Sequence, residues 1–225
     1  MKGFFVAGTD TGVGKTEFAR ALCTALRERG LRPRALKPVE TGCAPDAPED
    51  ALALRAACGG DQPLDEVCPY RFRMPAAPLA AAEAEGAQID VRRIKLLAEG
   101  GCTVVEAAGG LLVPFARTTR IVTNLDLADM LGLPVVLIAR AGLGTINHSA
   151  LSAGALQERG LRIAAIVLNR VVPQDDPSVA TNARWVSELT GARVIGPTPF
   201  VADAAQRVSA LLPFADDLLH SAPAE

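Results

Sequence analysis

Two lysines, a glycine-rich run and two acidic residues are the groups in this 225-residue sequence whose type and spacing suit chemistry. Residues 8–16 read GTDTGVGKT, straight after the apolar run GFFVA and ahead of KTEFARALCTALRERG. Glycines there let backbone N–H groups converge on phosphate oxygens, and the start of a helix adds positive potential. Lys15 would reach the outer phosphates of a nucleotide, and the Thr16 hydroxyl would ligate Mg²⁺. The usual loop places four residues between its first glycine and the Gly-Lys pair. Here position 9 is a threonine and the nearest upstream glycine is Gly8, so the loop is an expanded variant. The bland alternative is a turn without a ligand. Gly14-Lys15-Thr16 between a buried strand and an amphipathic helix argues against it.

Lys37 ends the strand-like ALKPV, where open α/β sheets hold ligands, although a strand-end lysine in solvent is common. Glu106 ends the apolar run CTVVE, where a charge has no packing purpose. Asp50 lies in PEDALAL, which on its own reads as an ordinary helix start with an acidic cap. Mg²⁺ prefers oxygen ligands and keeps waters, so one hydroxyl and two carboxylates beside phosphates would suffice. GLGTINHS (142–149) again follows a buried run. Its N–H groups at residues 144–147 suit a carboxylate, but a routine turn capped by Asn147 explains the pattern equally well. His148, Trp185 and Tyr70 read as structural.

The elements that must position these groups are legible as an alternation. GFFVA, PRALKPV, CTVVEAA, PVVLIAR and RIAAIVLNR are apolar throughout, as strands are when helices cover both faces of a parallel sheet. Helical patterns lie between them: KTEFARALCTALRERG puts Phe18, Leu22 and Leu26 on one face and stops at Gly30, and TNLDLADMLGL and NHSALSAGALQERGL behave alike. The proline-rich VCPYRFRMPAAP reads as an ordered surface loop. The expected fold is α/β, a mostly parallel central sheet between two helix layers of the phosphate-loop NTPase kind, in one domain over residues 1–225.

Composition narrows the function classes. With 49% hydrophobic and 21% charged residues and a net charge of −2, the chain has ordinary globular balance and no general attraction for nucleic acid or anionic membrane. Five cysteines without CxxC spacing and two histidines supply a zinc site poorly and point to reduced thiols. FFVAG is too short for a signal-peptide core and no run reaches membrane-spanning length, so a cytoplasmic protein is expected.

GTDTGVGKT, LKPVETG, EDALAL, VVEAAGGLLVP and GTINHS, in that order, resemble the dethiobiotin synthetase family from residue 3 to about residue 207. That family carries the same expanded loop. The resemblance implies an ATP- and Mg²⁺-dependent enzyme that joins CO₂, or bicarbonate as its source, to 7,8-diaminononanoate, as a homodimer holding the substrate carboxylate across its interface. It implies that Lys37 and Lys15 are catalytic, Lys37 binding the carbamate and the γ-phosphate. Nucleotide would be held by Thr11, Gly12, Val13, Gly14, Lys15, Thr16 and Glu17, with Asp50, Glu106, Ala107, Ala108 and Gly109 nearby. Asn169 would read the adenine edge, flanked by Arg170, Pro199, Phe200, Val201 and Gln206. Thr41, Gly110, Gly144, Thr145, Ile146 and Asn147 would bind the substrate, and Thr16, Asp50 and Glu106 the metal. The chain departs from the family pattern at Ala107 (usually glycine), Arg170 (often aspartate), Gln206 (glutamate) and Thr41 (commonly serine). The rival on this fold is an ATP-driven partitioning or septum-placement switch. Such a switch carries a second lysine in its loop, where this chain has Asp10 and Thr11. A cobyrinate-type amidotransferase would need a glutaminase domain that a chain of this length has no room for.

Overall fold

The computed structural model describes residues 3–173 and 175–220. The chain runs β1 (Gly3–Gly8), α1 (Lys15–Glu28), β2 (Arg34–Leu36), β3 (Val39–Thr41), α2 (Glu49–Ala57), α3 (Leu64–Val67), β4 (Tyr70–Phe72), α4 (Pro78–Ala84) and α5 (Val91–Ala98). It continues through β5 (Thr103–Gly110), β6 (Pro114–Arg117), β7 (Ile121–Thr123), α6 (Asn124–Leu131), β8 (Val135–Arg140), α7 (Thr145–Glu158), β9 (Ile163–Asn169), α8 (Val179–Thr190), β10 (Val194–Ile195) and α9 (Ala204–His220).

Six strands form one parallel sheet in the order β10-β9-β8-β1-β5-β2. Their apolar residues divide by the two-residue period of a strand. Phe5, Ala7, Leu36, Val105, Leu137 and Leu168 enter the core under α4–α8. Phe4, Val6, Ala35, Val104, Ile138 and Val167 enter the opposite core, which α1, α2 and α9 cover. Both faces are dry, which is why these strands read as continuous apolar runs. The expected three-layer α/β fold is the one observed. Phe18, Leu22 and Leu26 of α1 are fully buried, and Gly30 follows the helix at φ 75°, a backbone region open chiefly to glycine.

Two expectations are corrected. PRALKPV is not one strand: β2 stops at Leu36, and Pro38, which has no N–H to give to a ladder, separates it from β3. VCPYRFRMPAAP is not only a surface loop, because Tyr70–Phe72 pairs in parallel with β3 and buries Val67, Cys68 and Phe72. Strand order leaves β1 in opposite directions, toward β5 and β2 on one side and β8–β10 on the other. The crevice at such a switch point, beyond the carboxyl ends of the strands, is where open α/β sheets bind ligands.

Candidate active site

The loop after β1 leads into α1 through Gly14 at φ 92°, and no side chain caps the first turn of the helix. A side chain at Gly14 is doubly excluded, since its Cβ would lie 2.1 Å from Asn169 Nδ2. α7 begins the same way, at Gly144 with φ 91° and no side-chain cap. By contrast α5 and α6 are capped by Asp90 and Thr123. The uncapped N–H groups of α1 and α7 are open to an anion. α7 starts at Thr145, so Asn147 is an exposed residue of its first turn rather than its cap, and His148 is exposed too. Thr145 is buried and its hydroxyl lies 3.3 Å from that of Ser149.

Lys37 sits just past β2 and is almost wholly buried. Its ammonium donates to Asp50 Oδ2 at 2.8 Å and to Glu106 Oε1 at 2.5 Å. Thr16 Oγ1 donates to the same Glu106 oxygen at 2.8 Å. Burial alone would strip the proton from Lys37, but the two carboxylates outweigh it and hold its pKa well above the ordinary lysine value. Lys15 is the opposite case. Its ammonium donates to the Asp10 carbonyl at 2.8 Å, and burial, opposed by the more distant Glu106, lowers its pKa to about 8. A phosphate beside it would favour the charged form further.

One cleft of about 720 Å³ joins these groups. Thr11, Gly12, Gly14, Lys15, Thr16, Glu17, Lys37, Thr41, Asp50, Glu106, Ala108 and Gly109 all line it. Val13 is buried beneath the loop, and the methyl of Ala107 belongs to the apolar core, so it adds no bulk beside the loop. Gly110 opens on the neighbouring groove with Leu112 and Leu151. A second cleft is lined by Asn169, Arg170, Pro199, Phe200 and Val201 and shares Gly12, Gly14 and Glu17 with the first. Gln206 is exposed and lines neither, whereas Arg207 does, held by hydrogen bonds to the carbonyls of Val201 and Ala202. Residues 144–147 line neither cleft of their own chain.

Sequence reading missed three residues that organise the site. Glu40 on β3 accepts the N–H groups of Asp50 at 3.2 Å and Ala51 at 2.9 Å, capping α2 from outside the helix and fixing Asp50 beside Lys37. Burial, opposed by the Ala51 N–H, raises the Glu40 pKa. Asn124, fully buried, donates to the carbonyls of Ala108 at 2.7 Å and Gly110 at 2.8 Å and fixes the end of β5. Thr198 donates to Asn169. None carries a local signal, because each acts on a segment remote in sequence.

The donor set fits Mg²⁺. Glu106 Oε2 is buried without a hydrogen-bond partner among the described residues, an acceptor left over for a cation. Thr16, Asp50 and Glu106 supply only oxygens. Three such ligands would leave the rest of the shell of Mg²⁺ to water and phosphate; no cluster of three or more His, Cys, Asp or Glu is arranged for a metal among the described residues.

The chain matches the AAA domain family over residues 2–207. It is 50% identical over 216 residues to a protein named ATP-dependent dethiobiotin synthetase BioD from Anaeromyxobacter dehalogenans (strain 2CP-C), covering 94% of this chain and 96% of that one. A synthetase of the same name from Bacillus cereus (strain B4264) is 35% identical, covering 90% of this chain and 85% of its own. The chain belongs to the ATP-dependent dethiobiotin synthetase family. It is therefore an enzyme, an ATP-dependent ligase. Among solved structures, the MinD cell division protein of Aquifex aeolicus aligns with TM-score 0.60 at 12% identity, covering 98% of both chains. A ParA family ATPase from Chlorobium tepidum TLS aligns with TM-score 0.54 at 15% identity, over 100% of this chain and 94% of that one. These two share the fold, a phosphate-loop NTPase sheet, and nothing further follows from them.

Proposed function

We propose that the chain, as one domain over residues 1–225 and as a cytoplasmic homodimer, joins CO₂ to 7,8-diaminononanoate at the expense of ATP with Mg²⁺, giving dethiobiotin, ADP and phosphate. The observation that carries this reading is Lys37, a buried ammonium between two carboxylates in the cleft that also holds the phosphate loop and Thr41. One amine captures CO₂ as a carbamate, whose oxygen attacks the γ-phosphate. The second amine attacks the resulting carbamic-phosphoric anhydride, expelling phosphate and closing the five-membered urea. Such chemistry needs alignment and charge neutralisation more than a protein nucleophile.

Lys37 stays protonated and stabilises negative charge as it moves from carbamate to phosphate. Lys15 and the uncapped start of α1 hold the outer phosphates. The Thr41 hydroxyl hydrogen-bonds the carbamate, and Gly110 leaves room for the carbon chain. Mg²⁺, held by Thr16, Asp50 and Glu106, would spread the charge of the outer phosphates. Asn169 reads the adenine, with Arg170, Pro199, Phe200 and Val201 around it. Residues 144–147 bind the substrate carboxylate of the other protomer. Their separation from both clefts of their own chain supports that placement, as do Leu112, Leu143 and Leu151, which are 69%, 87% and 67% exposed and would be covered in a dimer.

Phosphate release from Mg²⁺-ATP and bicarbonate, with and without 7,8-diaminononanoate, tests the reading, with mass spectrometry for the cyclic urea. Diamine-dependent release matched by product is the expected result. Hydrolysis indifferent to the diamine would overturn the substrate assignment.

A further inference from the structure

Asn169 is nine-tenths buried at the end of β9, and both ends of its amide are spoken for inside the protein. Nδ2 donates to the Val13 carbonyl at 2.8 Å, and Oδ1 lies 2.6 Å from Thr198 Oγ1. A carbonyl can only accept, so the nitrogen must face Val13. The Thr198 hydroxyl already accepts the Arg170 N–H at 3.3 Å, so its one hydrogen goes to Oδ1. The rotamer of the amide is thereby fixed by two partners on opposite sides. Thr198 itself is 1% exposed and lines neither cleft, so it does not touch a nucleotide.

Fixed in this way, Asn169 has one N–H and one lone pair left to offer. That edge matches adenine, which presents its 6-amino donor beside the N7 acceptor. Guanine and hypoxanthine present two acceptors there, O6 and N7, so the carboxamide oxygen would face an oxygen. Turned over, the amide would set its N–H against the 6-amino group and its oxygen against N7, losing both adenine bonds as well as those to Val13 and Thr198, whereas a 6-oxo base finds one match and one clash in either orientation. We infer that Thr198 is a positioning residue for base selectivity: its hydroxyl locks the Asn169 amide in the one orientation that makes both bonds to a 6-aminopurine, bonds that a 6-oxopurine nucleotide cannot make together in either orientation. This rests on the proposed placement of the base against Asn169.

The test is direct binding of ATP, GTP and ITP with Mg²⁺ to the wild-type chain and to Thr198→Val, Thr198→Ala and Thr198→Ser, by calorimetry and without turnover. Val keeps the shape and removes the hydroxyl. Loss of one of the two latches should reduce the ATP-over-ITP preference by about tenfold, the worth of one buried hydrogen bond. Ser should retain the preference, and the melting temperatures report folding separately. If Thr198→Val does not fold, Thr198→Ala removes the same hydroxyl. A variant without the hydroxyl that keeps the wild-type preference overturns the role of Thr198 while leaving the base pocket standing. A wild-type chain that binds ATP and ITP equally overturns the placement of the base itself, and this inference with it.

Discussion

Replacing Lys37 with methionine separates its structural role from its chemical one. The substitution keeps most of the buried stem and deletes the cation between Asp50 and Glu106. Asp50 is 43% exposed and regains water, so its contribution is small. Glu106 is 1% exposed, loses its 2.5 Å partner and keeps only the Thr16 hydroxyl. Removing one member of a buried ion pair costs about 3–5 kcal/mol. Glu106 lines the cleft, so water reaching the stranded carboxylate relieves part of this, and about 3 kcal/mol is expected, or a melting temperature lower by roughly 6–12 °C for a chain of this size. The same vacated carboxylates should then hold Mg²⁺ without competition from an ammonium. At a concentration about 100 times its dissociation constant the ion returns about 2.7 kcal/mol. Thermal unfolding in EDTA and in millimolar Mg²⁺ reads both effects. Lys37→Met should melt well below wild type in EDTA and recover much of the difference in Mg²⁺, while wild type responds little. Turnover should stay depressed by about 10²–10³-fold even where stability is recovered. Equal melting of the two proteins in EDTA, or an equal response to Mg²⁺, would refute the view that the ammonium and the metal share these carboxylates.

Glu40→Ala should lose about 1 kcal/mol, the worth of a helix cap, and weaken Mg²⁺ binding because Asp50 is no longer held; urea unfolding and Mg²⁺ titration check the two parts. Gly14→Ala places a methyl against Asn169 Nδ2 in a left-handed backbone conformation, so ATP affinity should fall by about tenfold or more in equilibrium binding. Asp126 accepts from Arg120, the largest influence on it, and from Thr123 and Arg159, which holds its pKa far below the usual carboxylate value. A depressed pKa in the folded state means that its stabilisation is present above the unfolded value of about 4 and is lost as acid protonates it. Asp126→Asn should therefore be less stable than wild type at neutral pH, and the gap should close on acidification through about pH 4 and below in denaturant midpoints; a gap independent of pH would contradict the assignment.

How much of this was legible in the sequence follows from the range over which each signal acts. The strands at residues 135–140 and 163–169 lie within their apolar runs, and those at 3–8 and 103–110 overrun theirs only by Gly8 and by Gly109 and Gly110, because burial on two faces leaves no alternation to misread. α6 and its capping box likewise lie within TNLDLADML. The break between β2 and β3 is marked in sequence by Pro38, yet the apolar run hid it. β4 was illegible because its partner, β3, lies about thirty residues away and the prolines around it look like a loop.

The sequence by itself marked the glycine-rich loop, the lysine and carboxylates that gather around it, and the alternation that places them at strand ends. Each of those depends on residue type and on spacing within one or two elements, which the chain's own period expresses. Only the tertiary structure decided that Lys37 would be shared between Asp50 and Glu106, that Glu40 would hold the start of α2, that Arg207 rather than Gln206 would line the second cleft, and that Thr198 would hold Asn169. The pairings made by Lys37, Glu40 and Thr198 reach across 10 to 69 residues of chain. Burial obliges every such group to find a partner, but only the packing of the layers says which one.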